Sequence, residues 1–199
     1  MPRNPIPARD RLIATVSDML DGAHPQDILV EDVLRESGVA RGSLYHHFHD
    51  FPELIETTLL KRFSQGVDFD ISMMEQLVST CESSDEFWSR IDAYSAEAQD
   101  PARAHRRAER SRIIGLAESS DRFRVLLSAE QERLTNTLAD AISRVQAKGW
   151  VRSDLSARAI AVFIQAYTLG RAVDDVAETQ IDPEDWLKVI RVTIRPLQG

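Results

Sequence analysis

Arg41, Ser43, Tyr45 and His46 lie close together, interleaved with Leu44 and Phe48, two apolar positions that recur at helical spacing. A guanidinium can take O6 and N7 of guanine together, a hydroxyl serves a base or a phosphate, and a tyrosine ring can meet a thymine methyl. Gly42 leaves room for the backbone to approach a ligand closely. The chemistry on offer is hydrogen bonding to the edges and phosphates of duplex DNA rather than bond making. Something must hold that set in place, and the residues before it do. Val33 and Leu34 are apolar in a first short helix, Gly38 falls where a helix must stop with positive φ, and Val39 plugs the turn. The run 30–48 therefore predicts two short helices joined by a tight turn, with a reading helix over 40–46.

The elements around it read as helices too. A first helix spans about Ala8–Leu20, with Leu12, Ile13, Val16 and Leu20 on one face, and Gly22 and Pro25 end it. Residues 1–7 carry three prolines and read as a disordered arm. After a turn at His49–Pro52 a long helix is expected over 52–80, with Leu54, Ile55, Thr58, Leu59 and Phe63 inward and a bend or break near Gly66 and Asp68–Asp70. The body continues with helices over 84–98, 101–118, 121–148, 156–177 and 183–195. Gly149 caps the third of these, and Asp182-Pro183 opens the last with a capping side chain and a proline at the first helical position. No alternating strand pattern persists, so the expected fold class is all-α, with residues 1–50 as a helix-turn-helix module and 51–199 as a second domain.

The run SGVARGSLYHHFHDFPEL resembles the tetracycline-repressor (TetR) family of bacterial regulators, with its glycine-valine turn, Leu-Tyr pair and closing His-Phe. The resemblance covers roughly a quarter of the chain, Arg9 to Leu60. It implies a sequence-specific transcriptional regulator, a repressor that binds double-stranded operator DNA as a homodimer and is released by a small-molecule effector. It also implies that Arg41, Gly42, Ser43, Tyr45 and His46 occupy DNA-contacting positions and that His47 meets phosphate. Two positions depart from the family. Phe51, preceded by Asp50, stands where a phosphate-binding lysine is common, and Val30, Glu31 and Asp32 open the second helix where threonine or a basic residue is common. Weaker, salt-limited DNA binding is the expected result.

Charge agrees with that expectation. The chain carries −8 overall. Residues 1–62 hold 7 Lys+Arg against 10 Asp+Glu, a net −3, so the DNA-reading third is not basic. Contact would lean on a few placed cations, helix N-termini and neutral donors. A helical protein-interaction module with weak or lost DNA binding is the rival reading.

Other function classes find little support. The chain has 199 residues, 43 % of them hydrophobic, enough for a packed core. No window approaches the ~18–20 apolar residues of a membrane span, the start lacks the apolar segment of a secretory signal, and the single Cys81 forms no internal disulfide. These point to a cytoplasmic protein without a membrane partner. No nucleophile, base or metal set is arranged for catalysis, so no enzyme activity and no cofactor are expected. His46, His47 and His49 occupy different faces and lack further ligands, and Cys81 reads as a buried thiol rather than a redox switch.

The body supplies the remaining candidates. An effector cavity between its middle helices would draw on Trp88, Ile91 and Tyr94, then on Ile113, Leu116, Phe123, Leu127 and Gln131, and finally on Phe163, Gln165, Tyr167 and Arg171. A mostly apolar lining suits a hydrophobic or aromatic molecule. The last two helices are apolar on more than one face and so need a partner surface. Ile160, Phe163, Ile164, Trp186, Val189 and Ile190 are the dimerisation candidates. Arg103, Arg106, Arg107, Arg110 and Arg112 form a basic run, read as a solvated face paired with Glu109 and other acids, the alternative being a grip for an anionic effector.

Overall fold

The computed structural model describes residues 6–199; the first five residues of the expected N-terminal arm lie outside the described residues. The helices are α1 (Ala8–Met19), α2 (Val30–Ser37), α3 (Arg41–His47), α4 (Phe51–Thr80), α5 (Ser84–Ala98), α6 (Ala104–Leu116), α7 (Asp121–Ala147), α8 (Ala157–Gly170), α9 (Ala172–Asp175) and α10 (Pro183–Ile194). Among the described residues there is no β-strand, only an isolated bridge between Val151 and Gln198. No described helix is long and apolar enough to cross a membrane.

The chain divides into two compact units at Gln65/Gly66. The boundary therefore falls inside α4, not at residue 50 where the sequence suggested it. Leu54, Ile55, Leu59 and Phe63 are buried, and Arg62 donates to the Ser17 carbonyl at 2.8 Å, so the first half of α4 is tied to α1. The break considered near Gly66 is absent: α4 runs unbroken through it. An isolated glycine costs a helix only about 1 kcal/mol relative to alanine, and flanking burial at Phe63 and Val67 outweighs that.

In the first unit α1 packs on α2 and α3. Leu12, Ile13 and Val16 from α1 meet a core completed by Val33, Val39, Leu44 and Phe48, each at most 5 % exposed. In the second unit α7 and α8 make the most extensive helix pairing. Gly149 ends the α7 region with φ 73°, a left-handed conformation that glycine adopts without penalty. Among the described residues, Asp50, Ser83, Ser120, Ser156 and Asp182 accept backbone N–H groups at the starts of α4, α5, α7, α8 and α10.

The helix expected over 156–177 is broken at Gly170–Arg171 into α8 and α9. The residues after the break are tied to other elements. Asp174 accepts from the Ile181 backbone at 3.2 Å, and Asp175 binds Arg107 of α6 through two contacts of 2.6 and 2.8 Å. Likewise Pro101–Arg103 form a short 3-10 turn ahead of α6, with Asp100 capping Ala102.

Candidate nucleic-acid interface and ligand cavity

The turn between α2 and α3 is built by local chemistry. Gly38 has φ 63° and ψ 23°, and its N–H donates to the Leu34 carbonyl. The Ser37 hydroxyl, itself buried, accepts from the Val39 backbone at 3.3 Å. Val39, Leu44 and Phe48 then anchor α3 from beneath. The anchoring leaves the opposite side outward: Arg41, Gly42, Tyr45, His46 and His47 are exposed and Ser43 is half-buried. All six sequence candidates are thus brought together on one short helix, with the His46 and His47 rings in edge contact at 5.2 Å.

Sequence reasoning missed the partner of Arg41. Its guanidinium donates to Glu31 at 2.6 Å, a residue ten positions earlier on α2. No helical spacing signals a pair ten residues apart across a turn. Arg41 holds the Glu31 carboxyl below the ordinary carboxylate range, chiefly through this hydrogen bond. Both groups are more than half exposed, so the pair is weak and easily exchanged for another anion. Arg35 and Arg62 are also held by acids, Asp32 and Asp21. At the start of α4, Asp50 caps Glu53 at 2.7 Å and Glu53 accepts from the His49 backbone at 2.6 Å. The two acids thus secure the helix start.

The second unit holds a cavity of about 60 Å³. Trp88, Ile91, Tyr94 and Tyr167 of the sequence candidates line it, with Ser95, Ala98, Ile142, Val145 and Thr168 among their neighbours. Its lining hydroxyls are partnered: Tyr94 donates to the Asp70 carboxylate at 3.3 Å, and Ser95 and Tyr167 share a 3.4 Å contact. Burial pushes the Asp70 carboxyl up despite Arg110 beside it, and pushes both tyrosines up, so the phenols stay neutral donors.

The other candidates lie elsewhere. Ile113, Phe123 and Leu127 are plain core. Gln131 donates to Gln165 at 2.7 Å, and Gln165 to Thr135 at 3.2 Å, so these amides tie α7 to α8 rather than facing the cavity. Leu116 is half-buried outside the lining, and Phe163 is 40 % exposed. Of the dimerisation candidates, Ile160 and Ile164 line the cavity and Ile190 is buried inside the protomer, so three of the six serve the interior. Trp186 is half-buried and donates to Gln99 at 2.9 Å. Val189 and Phe163 face out, as do Val162 and Val192.

The basic run is not a uniform solvated face. Arg106 is exposed, but Arg107 is buried against Asp175 and the carbonyls of Ala98 and Asp100. Arg103 meets Glu97, and Arg110 meets Asp70 at 3.3 Å. Cys81 is buried and its thiol pushed up by that burial, which disfavours the reactive thiolate. Among the described residues no group of His, Cys, Asp and Glu is placed to hold a metal ion.

Neither a family model nor a curated protein sequence matches the chain. Solved structures do. A TetR-family transcriptional regulator from Mesorhizobium loti matches with TM-score 0.72 at 13 % identity, covering 96 % of this chain and 94 % of that one. A TetR-family regulator from a Rhodococcus species matches with TM-score 0.68 at 20 % identity over 96 % and 99 %. A transcriptional regulator from Saccharomonospora viridis, in complex with choline, matches with TM-score 0.67 at 16 % identity over 94 % and 95 %. The all-α fold of this chain is thus the fold of solved TetR-family transcriptional regulators, shared along nearly its whole length.

Proposed function

We propose that the chain is a sequence-specific DNA-binding transcriptional regulator, a cytoplasmic repressor released from its operator by a small molecule. One observation carries the reading: a positive-φ turn at Gly38 and three buried anchors leave Arg41, Ser43, Tyr45, His46 and His47 outward on one short helix. That is the arrangement a major-groove reader needs. The cavity in the second unit gives the effector a place. A homodimer is part of the reading: Val162 and Phe163 of α8 and Val189 and Val192 of α10 are exposed apolar side chains that a second copy would cover. A two-fold dimer presents two reading helices roughly 34–36 Å apart and therefore selects a palindrome. Release follows if the effector binds better to a state in which those helices are misplaced, since equal affinity for both states shifts nothing.

Selection of bound duplexes from a random pool, at about 50 and about 200 mM salt, tests the reading. Recovery of a palindrome whose binding falls about tenfold or more in Arg41→Ala is the expected result. The Arg41–Glu31 pair and the acidic first unit favour a second reading, a protein-interaction module. Absence of enrichment even at low salt would select it over DNA reading.

A further inference from the structure

Two buried side chains at one end of the second unit are short of acceptors. Arg171 is 2 % exposed, and its Nε and Nη1 find no hydrogen-bond partner among the described residues. Gln99 is 2 % exposed, and its Nε2 is likewise without one. Buried donors left unpaired are uncommon, and each one signals a missing partner. Internal partners are already committed. Gln99 gives its oxygen to the Trp186 indole at 2.9 Å, and Asp175 is taken by Arg107. Asp174 Oδ2 is the nearby acid, but it stands 3.6 Å from Arg171 Nη2, beyond hydrogen-bond reach, and is itself unpartnered. Even if that pair closed, three nitrogen atoms would still lack an oxygen.

Their position relates them to the cavity. On α8 the cavity-lining Ile160, Ile164 and Tyr167 form a stripe whose next member, four residues on, is Arg171. On α5 the lining Trp88, Ile91, Ser95 and Ala98 form a stripe that Gln99, four residues after Ser95, extends. The Ser95–Tyr167 contact is one rung between the two helices, and Gln99 and Arg171 flank the next. Trp186 closes that end, hydrogen-bonded to Gln99 and with its ring centre 5.9 Å from the Arg171 guanidinium carbon. The cavity wall itself is apolar and carries no charged side chain. Neither Arg171 nor Gln99 lines that wall; both stand one helical turn beyond its Ser95–Tyr167 rung, and an apolar chamber with unpaired buried donors next to it suits an amphipathic anion that reaches past that rung.

We propose that the second unit binds a small apolar monocarboxylic acid, its hydrocarbon part in the cavity and its carboxylate on Arg171 and Gln99. The carboxylate supplies the oxygens that the three nitrogens lack, and a volume of about 60 Å³, well under the roughly 150 Å³ of a cavity that takes benzene, limits the tail to a short aliphatic chain. This rests on the reading of the cavity as the effector site, and names the class of effector.

The test uses the full chain without DNA, so it stands or falls separately from the operator selection. Butanoate and pentanoate are titrated at neutral pH against butanamide and pentanamide, with thermal stability and tryptophan fluorescence as readouts. The acids are expected to bind saturably, about tenfold or more tighter than the amides. Arg171→Met should abolish that preference. Gln99→Glu, which places a carboxylate beside Arg171 permanently, should raise the melting temperature of the free protein and remove acid binding, and it keeps the test open if Arg171→Met does not fold. No saturable binding by either acid, equal binding of acids and amides, or an acid preference that survives Gln99→Glu would overturn the proposal.

Discussion

The Arg41–Glu31 pair of the first unit and the Arg107–Asp175 pair of the second have the same shortest contact, 2.6 Å. Their surroundings differ completely. Arg41 and Glu31 have side chains 53 % and 65 % exposed, whereas those of Arg107 and Asp175 are 5 % and 8 % exposed. In water the first pair is one option among several, and a phosphate or a base edge can replace the carboxylate. In the interior neither partner of the second pair can be removed without leaving the other desolvated. One contact distance therefore describes a releasable tether in one unit and a structural fastening in the other. Arg171 is a third case: buried like Arg107 but incompletely paired.

The contrast can be broken from either side. The largest effect should come from Arg107→Ala, which strands the Asp175 carboxylate and should cost about 3–5 kcal/mol in urea unfolding of the second unit. A loss below about 1 kcal/mol would mean that Asp175 is rehydrated and the pair is no fastening. Next is Gly38→Val. No atom stands within 4 Å of a Cβ added there, so the penalty is conformational, about 1–2 kcal/mol for a left-handed residue. Operator binding should be lost while acid binding by the second unit is retained. Loss of both together would show that the reading turn and the cavity cannot be separated.

Glu31→Gln sharpens the comparison more gently. It releases Arg41 and removes one negative charge from the reading surface, so duplex affinity at about 50 mM salt should rise about three- to tenfold and depend more steeply on salt. Unchanged affinity would show that the tether exchanges at no cost. The smallest effect concerns Asp70. Burial raises its folded-state pKa above the ordinary carboxylate value, so the folded chain holds the proton more tightly than the unfolded one. Its contribution to stability is therefore present below that ordinary value and lost as pH rises through the folded pKa. Relative to Asp70→Asn, the wild type should gain stability as pH is lowered from neutral. The opposite trend would show that Arg110 and Tyr94 outweigh burial.

The sequence alone determined most of the helices and the outward placement of the polar set on α3, because both depend on neighbours within a turn or two. Gly38, Val39, Leu44 and Phe48 follow from backbone freedom and helical spacing, and the same spacing predicts that Arg41 and Tyr45 face outward. The Asp182 cap and the Gly149 stop were legible for the same reason. Tertiary structure decided what depends on distant residues. Glu31 reaches Arg41 only because the turn folds α2 beside α3, and Arg107 is buried only because α9 brings Asp175 over it, 68 positions away. The cavity took four aromatic and aliphatic candidates and left Phe123 and Ile113 in the core, a choice that periodicity cannot make because both groups are apolar at helical spacing. The unpaired nitrogens of Arg171 and Gln99 become visible only when every neighbouring acceptor is already placed.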